Sequence, residues 1–220
     1  MSLRVAVLAS GRGTNLTALI DARRDAGLPI EIVLVASDRA DAAALRRAEA
    51  AGIQTLALDP RAYASRAVFD AALFARIGDY SPDLLVLAGF MRILDAAALA
   101  PWVGRMINIH PSLLPKYRGL RTHARAIAAR DAVHGASVHF VTPELDGGPV
   151  IAQVEIPLAA GDTAEALAAR LLPREHRLLV ECVRLIAKHE IALDGERVLY
   201  AGRVLHAPLT LAADALSLPA

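Results

Sequence analysis

Apolar residues in the first half of the chain form short continuous runs, separated by longer segments in which apolar and polar positions alternate with helical spacing. The runs at residues 4–10 and 30–37 are typical of strands buried on both faces of a parallel sheet. The intervening segments 16–27 and 41–52 predict helices, and each ends at a glycine. By the same criteria we predict strands at 53–58, 83–89 and 105–110 and helices at 65–80 and 95–101.

The pattern changes after residue 130. Residues 135–143 and 149–158 predict two strands joined by the short loop ELDGG, which is typical of an antiparallel pair. A long helix is predicted at 163–189, with a kink or a break at Pro173, because proline removes a backbone N–H donor. A last short strand is predicted at 197–202.

Alternating strands and helices predict an α/β fold of the Rossmann-like, three-layer kind, with a mostly parallel sheet and a C-terminal antiparallel portion. The sequence shows no repeat, no linker and no shift in composition that would divide it. We therefore predict a single domain over residues 1–205. The tail at 206–220 has no pattern that predicts its structure.

The composition excludes several classes of function. The 220 residues are 55% hydrophobic and 21% charged with a formal net charge of +1, so we expect no broad basic face for nucleic acid or lipid. Cys182 is the only cysteine, which excludes an internal disulfide and a multi-cysteine zinc site, and we predict no metal site. We expect no signal peptide, because the N-terminus is too short for one, and no apolar run approaches the roughly 20 residues that span a bilayer, so we expect a cytoplasmic protein.

Ligands of a parallel α/β sheet bind at the carboxyl ends of its strands, and three predicted strand ends carry unusual residues. The first is SGRGTN, residues 10–15, whose free backbone N–H groups at a helix start suit an anion. It lacks the dinucleotide fingerprint, because Leu16 occupies the place of the third glycine, and Asp38 is then not needed as a ribose ligand. A monophosphate suits this loop better than a pyrophosphate. The alternative is a tight turn that binds nothing.

The second strand end is AGFMRIL, residues 88–94. Its apolar side chains, those of Met91, Ile93 and Leu94, can line a pocket for a flat ring. The alternative is that they pack beneath the next helix, which would leave Arg92 unexplained.

The third strand end is NIHPSLLPKYRG, residues 108–119. Because side chains alternate along a strand, Asn108 and His110 share one face and combine an amide donor with an acid–base group. The alternative for His110 is a hydrogen-bonded histidine of the core. Asp146, in the glycine loop LDGGPV, adds a carboxylate, and its alternative is a plain hairpin turn.

Taken in order, four motifs resemble those of the folate-dependent phosphoribosylglycinamide formyltransferases, over residues 4 to about 190: SGRGTNL, LAGFMRIL, NIHPSLLPKYRG and HGASVHFVTPELDGGPVIAQ. The resemblance implies a seven-stranded, mostly parallel sheet. It also implies transfer of a formyl group from 10-formyltetrahydrofolate to the amine of glycinamide ribonucleotide in purine synthesis. The implied catalytic residues are Asn108, His110 and Asp146.

The resemblance also implies the ligand contacts. The residues implied for the ribonucleotide are Gly13, Thr14, Asn15, Arg66 and Glu175. The residues implied for the folate are Met91, Arg92, Ile93, Leu94, Asn108, Thr142, Glu144 and Asp146. The expected partners are these small molecules, without nucleic acid or membrane, and the chain is expected to be a monomer or a homodimer.

Three residues depart from the family pattern. Arg118 stands where the family usually has proline, Arg121 stands where it has histidine, and Pro143 replaces an acidic residue. The two arginines lie in a loop that is expected to be mobile. Two members of the same superfamily, formyltetrahydrofolate hydrolase and methionyl-tRNA formyltransferase, share the Asn-His-Asp set. Each usually carries an extra domain, for which we expect no room in this chain. A non-catalytic nucleotide- or folate-binding module is the alternative from another class.

Overall fold

The computed structural model describes residues 2–212 and 215–218. They group into two compact units, Met1–Asn108 and Ile109–Ala220, and the boundary falls inside a strand. The single domain over residues 1–205 stays a prediction.

The first unit is built on parallel strands. They lie in the order β5-β4-β1-β2-β3, and each neighbouring pair is parallel. Their bounds are β1 Leu3–Leu8, β2 Ile30–Ser37, β3 Thr55–Ala57, β4 Leu84–Leu87 and β5 Met106–His110, the last of which continues past the boundary. The helices are α1 Thr14–Asp25, α2 Ala43–Ala50, α3 Arg66–Gly78 and α4 Ala96–Leu99, with 3₁₀ turns at Pro60–Ala62 and Ala100–Trp102. Strand β4 is buried throughout and β1 is buried from Val5 to Leu8, as continuous apolar runs predict.

The second unit begins with the helix α5 Thr122–Ala128 and the antiparallel pair β6 Val133–Phe140 and β7 Val150–Pro157. The long helix α6 Ala164–Ala187 follows. A separate antiparallel sheet contains β8 Ile191–Asp194, β9 Arg197–Tyr200 and β10 Arg203–Val204. None of the helices in residues 2–212 and 215–218 combines the length and the apolar character needed to cross a bilayer.

The tail contributes strands that the sequence did not predict. Strand β11, Leu209–Ala212, pairs in parallel with β7, and β12, Ala215–Ser217, pairs antiparallel with β11. Leu209 and Leu211 are buried, so the alternation of apolar and polar residues in LTLA is that of a strand with one face packed inward. The remaining tail residues, 213, 214, 219 and 220, lie outside the described part.

The predicted α/β class is confirmed, with mostly parallel strands and a small antiparallel sheet. Strands β1 to β7 correspond to the seven that the resemblance implied, and the tail adds two. The predicted break at Pro173 is wrong, because the 24-residue helix α6 passes through this position without interruption. Its buried leucines on both sides of Pro173, among them Leu171 and Leu178, favour the helix by more than one lost N–H bond costs.

Candidate active site

The loop after β1 leads directly into α1. Gly13 precedes the helix with a left-handed backbone (φ 73°), and Thr14 is the first helical residue. Gly13, Thr14 and Asn15 therefore lie where the helix has unpaired N–H groups and the positive end of its dipole, as predicted. We call residues 10–15 the anion loop.

Arg66, the other implied anion ligand of the first unit, is the first residue of α3 and is exposed. The side chain of Ser65 caps this helix by accepting a hydrogen bond from the N–H of Val68. The Arg66 guanidinium lies near enough to the buried Asp70 carboxyl to favour its charged form. Burial nevertheless dominates and raises the pKa of Asp70.

The loop after β4 exposes two of its apolar side chains. Met91 is 70% exposed and Ile93 is 52% exposed, whereas Leu94 is buried. Packing beneath the next helix is therefore wrong for Met91 and Ile93, whereas the burial of Leu94 agrees with it. The backbone of this loop is tied to Ser10 of the anion loop, whose hydroxyl accepts a hydrogen bond from the Met91 N–H at 3.0 Å.

Arg92, which the resemblance implies for the folate, is partly buried against other residues of the first unit. Its guanidinium stacks over the Phe69 ring, 4.5 Å from the centroid, and Nη1 is 3.8 Å from Oδ2 of Asp38. Asp38, which a dinucleotide site would use to bind a ribose, therefore faces Arg92 instead. These contacts connect the loop after β4 to α3 and to the end of β2.

His110 and Asp146 form the centre of a polar cluster in the second unit. The Nδ1 atom of His110 is 3.4 Å from Oδ2 of Asp146, and both side chains are 8% exposed. A second histidine, His139, places Nε2 3.6 Å from the other carboxylate oxygen of Asp146. Its Nδ1 is 2.8 Å from the carbonyl oxygen of Phe140. His110 is buried, as the alternative of a core histidine requires, but it also faces a buried carboxylate that a second histidine shares.

The ring of His110 is held from both sides. Its Nε2 is 3.0 Å from the carbonyl oxygen of Tyr117, and because a carbonyl only accepts, this nitrogen carries a proton. Burial lowers the pKa of His110, and the contacts with Tyr117 and Asp146 offset this only in part. We expected Asp146 to favour the imidazolium; its effect has that direction, but desolvation outweighs it.

The Asp146 carboxyl remains ionised despite its burial. Burial alone would raise its pKa, but hydrogen bonds from His139 and from the Gly119 N–H, together with the charge of His110, hold the pKa below its usual range. The Gly119 N–H donates to Oδ2 at 2.8 Å. The result is an ionised carboxylate beside a histidine that can change its protonation state.

Asp146 also has a structural place in the hairpin between β6 and β7. Its backbone is left-handed (φ 47°), and the following turn approaches β6 so closely that a Cβ on Gly148 would lie 1.9 Å from the Phe140 carbonyl oxygen. Only glycine fits at position 148. The turn thus fixes the carboxylate against β6, and the alternative of a plain turn does not account for its contacts with two histidines.

The loop between β5 and α5 is braced at several points. The Tyr117 hydroxyl donates to Oδ2 of Asp131 at 2.7 Å, and Nζ of Lys116 donates to Oδ1 at 3.0 Å. The hydroxyl of Ser112 donates to the Lys116 carbonyl at 2.6 Å. These contacts hold the segment that supplies the Tyr117 carbonyl to His110.

The departures from the family pattern can be located. Arg118 donates from Nη1 to Oε1 of Glu144, so an ion pair joins the loop to the β6–β7 turn. Arg121 precedes α5 with a left-handed backbone (φ 58°) and is exposed. Pro143 lies in the turn beside Glu144 and is exposed. The glutamate side chain implied for folate thus faces an arginine.

Three implied ligand residues lie elsewhere in the fold. Glu175 lies on α6 with 8% exposure, and burial raises its pKa to about 7. Thr142 follows β6 and is half-buried. Asn108 is half-buried on β5, two residues before His110, so the two side chains leave the strand on the same face.

The sequence did not predict His139 or the Tyr117 carbonyl as parts of the site. A signal for His139 exists, because it lies near the end of β6 and the next turn carries Asp146. A backbone carbonyl has no sequence signal. Among the described residues, no group of three or more His, Cys, Asp or Glu is arranged to hold a metal ion.

A family model described as formyl transferase matches residues 3–183. The chain belongs to the formyl transferase family. The match includes all the implied site residues, from Gly13 to Glu175.

Relatives within the formyl transferase family extend over most of the chain. A phosphoribosylglycinamide formyltransferase of Escherichia coli (strain K12) is 46% identical over 203 residues, which are 89% of this chain and 96% of that protein. The trifunctional purine biosynthetic protein adenosine-3 of Bos taurus is 42% identical over 86% of this chain, a region that is 19% of that protein. A solved phosphoribosylglycinamide formyltransferase of Coxiella burnetii superposes with a TM-score of 0.90 at 45% identity, covering 93% of this chain and 96% of that one.

Proposed function

We propose that this formyl transferase carries a formyl group from 10-formyltetrahydrofolate to the amine of glycinamide ribonucleotide in purine biosynthesis. The observation that carries the proposal is the cluster in which a buried carboxylate, Asp146, faces His110 at a strand end that also bears Asn108. Acyl transfer needs a donor for an oxyanion and a group that moves a proton, and Asn108 and His110 are side chains of these two kinds. The names of the relatives support the choice of substrates.

In the proposed reaction, the ribonucleotide amine attacks the formyl carbon and a tetrahedral oxyanion forms. The Asn108 amide donates a hydrogen bond to that oxygen, a contact commonly worth about 3 kcal/mol in the transition state. The new C–N bond remains, and the bond between the formyl carbon and the folate N10 breaks. The amine loses one proton, N10 gains one, and no covalent intermediate with the enzyme is needed.

His110 transfers the proton from the attacking amine to the leaving nitrogen. Because burial lowers its pKa, His110 favours the neutral imidazole, in which one ring nitrogen can accept the proton first. The imidazolium that then forms lies beside the Asp146 carboxylate, which stabilises it. For one ring nitrogen to reach the substrates, His110 must exchange its contact with the Tyr117 carbonyl or with Asp146.

The remaining residues bind substrate. The anion loop takes the phosphate of the ribonucleotide, with Arg66 and Glu175 as further ligands. The folate lies against residues 91–94, of which Met91 and Ile93 are exposed, and against the segment Thr142 to Asp146. Holding a phosphate remote from the reacting amine fixes the orientation of the amine.

The test is to incubate the protein with 10-formyltetrahydrofolate in the presence and in the absence of glycinamide ribonucleotide. Tetrahydrofolate that forms only with the ribonucleotide, with an equal amount of formylated product, supports the proposal. Equal release without the acceptor indicates a hydrolase, and binding of both ligands without turnover indicates a non-catalytic module. His110→Ala serves as the control for activity from contaminating enzyme.

A further inference from the structure

Helix α2 donates hydrogen bonds to the backbone carbonyl groups of the anion loop. The Ala44 N–H donates to the Gly11 carbonyl at 3.1 Å. The Arg47 side chain, one turn further along, donates from Nε to the Arg12 carbonyl at 2.9 Å. Two consecutive carbonyl groups of the loop are thus bound by a helix that supplies no implied ligand residue.

Arg47 makes a second contact that reaches the next carbonyl. Its Nη1 is 3.3 Å from the hydroxyl oxygen of Thr17, and that hydroxyl donates to the Gly13 carbonyl at 3.1 Å. The guanidinium is rigid and planar, so its two contacts fix Arg12 and Thr17 relative to each other. The adjacent Arg46 does not compete for these oxygen atoms, because it donates to the Asp41 carbonyl instead.

The packing at Gly13 shows how close α2 comes to the loop. A Cβ on Gly13 would lie 2.7 Å from Cα and 2.8 Å from Cβ of Ala44, which is shorter than any normal contact. Gly13 also has a left-handed backbone (φ 73°), which disfavours any other residue. The loop therefore has no room to move toward α2, and the Arg47 contacts keep it from moving away.

The orientation of these carbonyls determines where the loop N–H groups point. In a trans peptide, the carbonyl of one residue and the N–H of the next point in opposite directions. With the Gly11 and Arg12 carbonyls turned toward α2, the N–H groups of Arg12 and Gly13 are turned away from it. Consecutive N–H groups directed to one side form an anion-binding surface.

We propose that Arg47 is a positioning residue that holds the anion loop in the conformation that binds the ribonucleotide phosphate. It acts through the backbone of Arg12 and Gly13 and does not itself touch substrate. The inference rests on the proposed function, because it takes the anion loop as the phosphate site. Binding of the ribonucleotide then depends on a side chain that lies outside the motif SGRGTN and does not contact this substrate.

The experiment compares Arg47→Met with Arg46→Met in the full chain. Both variants remove a guanidinium from α2 that binds a backbone carbonyl, but only Arg47 binds the anion loop. We expect Arg47→Met to raise KM for glycinamide ribonucleotide about 10-fold, the effect of losing one hydrogen bond from a charged donor. KM for the folate and kcat stay within about twofold, and inorganic phosphate becomes a weaker competitive inhibitor. Arg46→Met leaves all of these unchanged.

Two further variants keep the outcome interpretable. Thr17→Val removes the hydroxyl that joins Nη1 of Arg47 to the Gly13 carbonyl, and we expect it to raise KM for the ribonucleotide by less than Arg47→Met does. This variant tests the inference if Arg47→Met does not fold. Gly13→Ala disturbs the loop directly and should raise this KM more than either. A lowered melting temperature with unchanged KM for Arg47→Met, or equal effects of Arg46→Met, would overturn the inference. If Gly13→Ala also leaves KM unchanged, the assignment of the phosphate site in the proposed function fails as well.

Discussion

The anion loop and the cluster around His110 use different parts of the chain to do chemistry. The loop offers backbone N–H groups, which carry no titratable proton and are oriented by a helix, a left-handed glycine and the contacts of α2. The cluster offers side chains, whose burial and mutual contacts set their pKa values. A backbone site is insensitive to most replacements of its own side chains, whereas a side-chain site fails when a single charged group is lost. The predictions that follow test this contrast.

The largest effect is expected for Asp146→Asn. Asparagine keeps the shape and can still accept from the Gly119 N–H, but it removes the negative charge beside His110. Because the imidazolium loses its partner, we expect kcat and kcat/KM to fall together, by up to about 10⁴-fold by analogy with other carboxylate–histidine pairs. KM for both substrates should change little.

The pH profile of the same variant provides an independent measurement. The pKa of His110 is already lowered by burial, and loss of the Asp146 charge lowers it further. The acid limb of the kcat/KM profile, where His110 becomes protonated, should therefore move to lower pH. Asp162→Asn, which removes a carboxylate that pairs with Arg170, is the control. Near-wild-type kcat in Asp146→Asn would show that Asp146 is only a turn residue.

The next largest effect is expected for Arg66→Ala, which removes a side chain proposed to bind the ribonucleotide phosphate together with the anion loop. A charged hydrogen-bonded contact is worth about 1.5–3 kcal/mol, so KM for the ribonucleotide should rise about 10- to 100-fold while folate affinity is retained. Arg61→Ala removes another exposed arginine, one that pairs with Asp59, and should have no effect. An unchanged KM in Arg66→Ala excludes Arg66 as an anion ligand.

A smaller effect is expected for Tyr117→Phe. The change removes only the hydroxyl that donates to Asp131 and keeps the carbonyl that faces His110. With the loop less firmly held, kcat should fall about 10-fold, the scale of one hydrogen bond to a charged acceptor. The His110 ring should then leave its contact with the Tyr117 carbonyl more often, which ¹⁵N NMR of the imidazole would report. Tyr200→Phe, on β9 of the small sheet, is the control. Equal losses of kcat in both variants would contradict a role for the Tyr117–Asp131 hydrogen bond.

The sequence predicted those parts of the fold in which pattern and environment agree. Strand β2 was predicted at residues 30–37 and lies at Ile30–Ser37, because a buried parallel strand is mostly apolar, and Glu31 is its one charged residue. Helix α5, Thr122–Ala128, was missed, since its seven residues bury only Thr122 and Ala126 and show no clear periodicity. The tail strands were missed because β11 is stabilised by pairing with β7, which local pattern does not reveal.

The candidate site divides in the same way. The motifs predicted Asn108, His110 and Asp146, and the structure brings His110 and Asp146 within 3.4 Å. The ionisation of the pair could not be predicted, because it depends on burial and on the Gly119 N–H. The tyrosine carbonyl at His110 is likewise a product of loop conformation rather than of residue type.

The smallest effect is expected for Thr14→Ala, which tests whether the anion loop works through its backbone. Thr14 is the first residue of α1, and alanine keeps its N–H and favours the helix. The helix loses no cap, because the capping position is Gly13, which makes no side-chain bond. KM for the ribonucleotide should therefore change less than about threefold, whereas the neighbouring Gly13→Ala should raise it well beyond that. A large rise in KM for Thr14→Ala would mean that the hydroxyl is the ligand, and the contrast between a backbone site and a side-chain site would no longer hold.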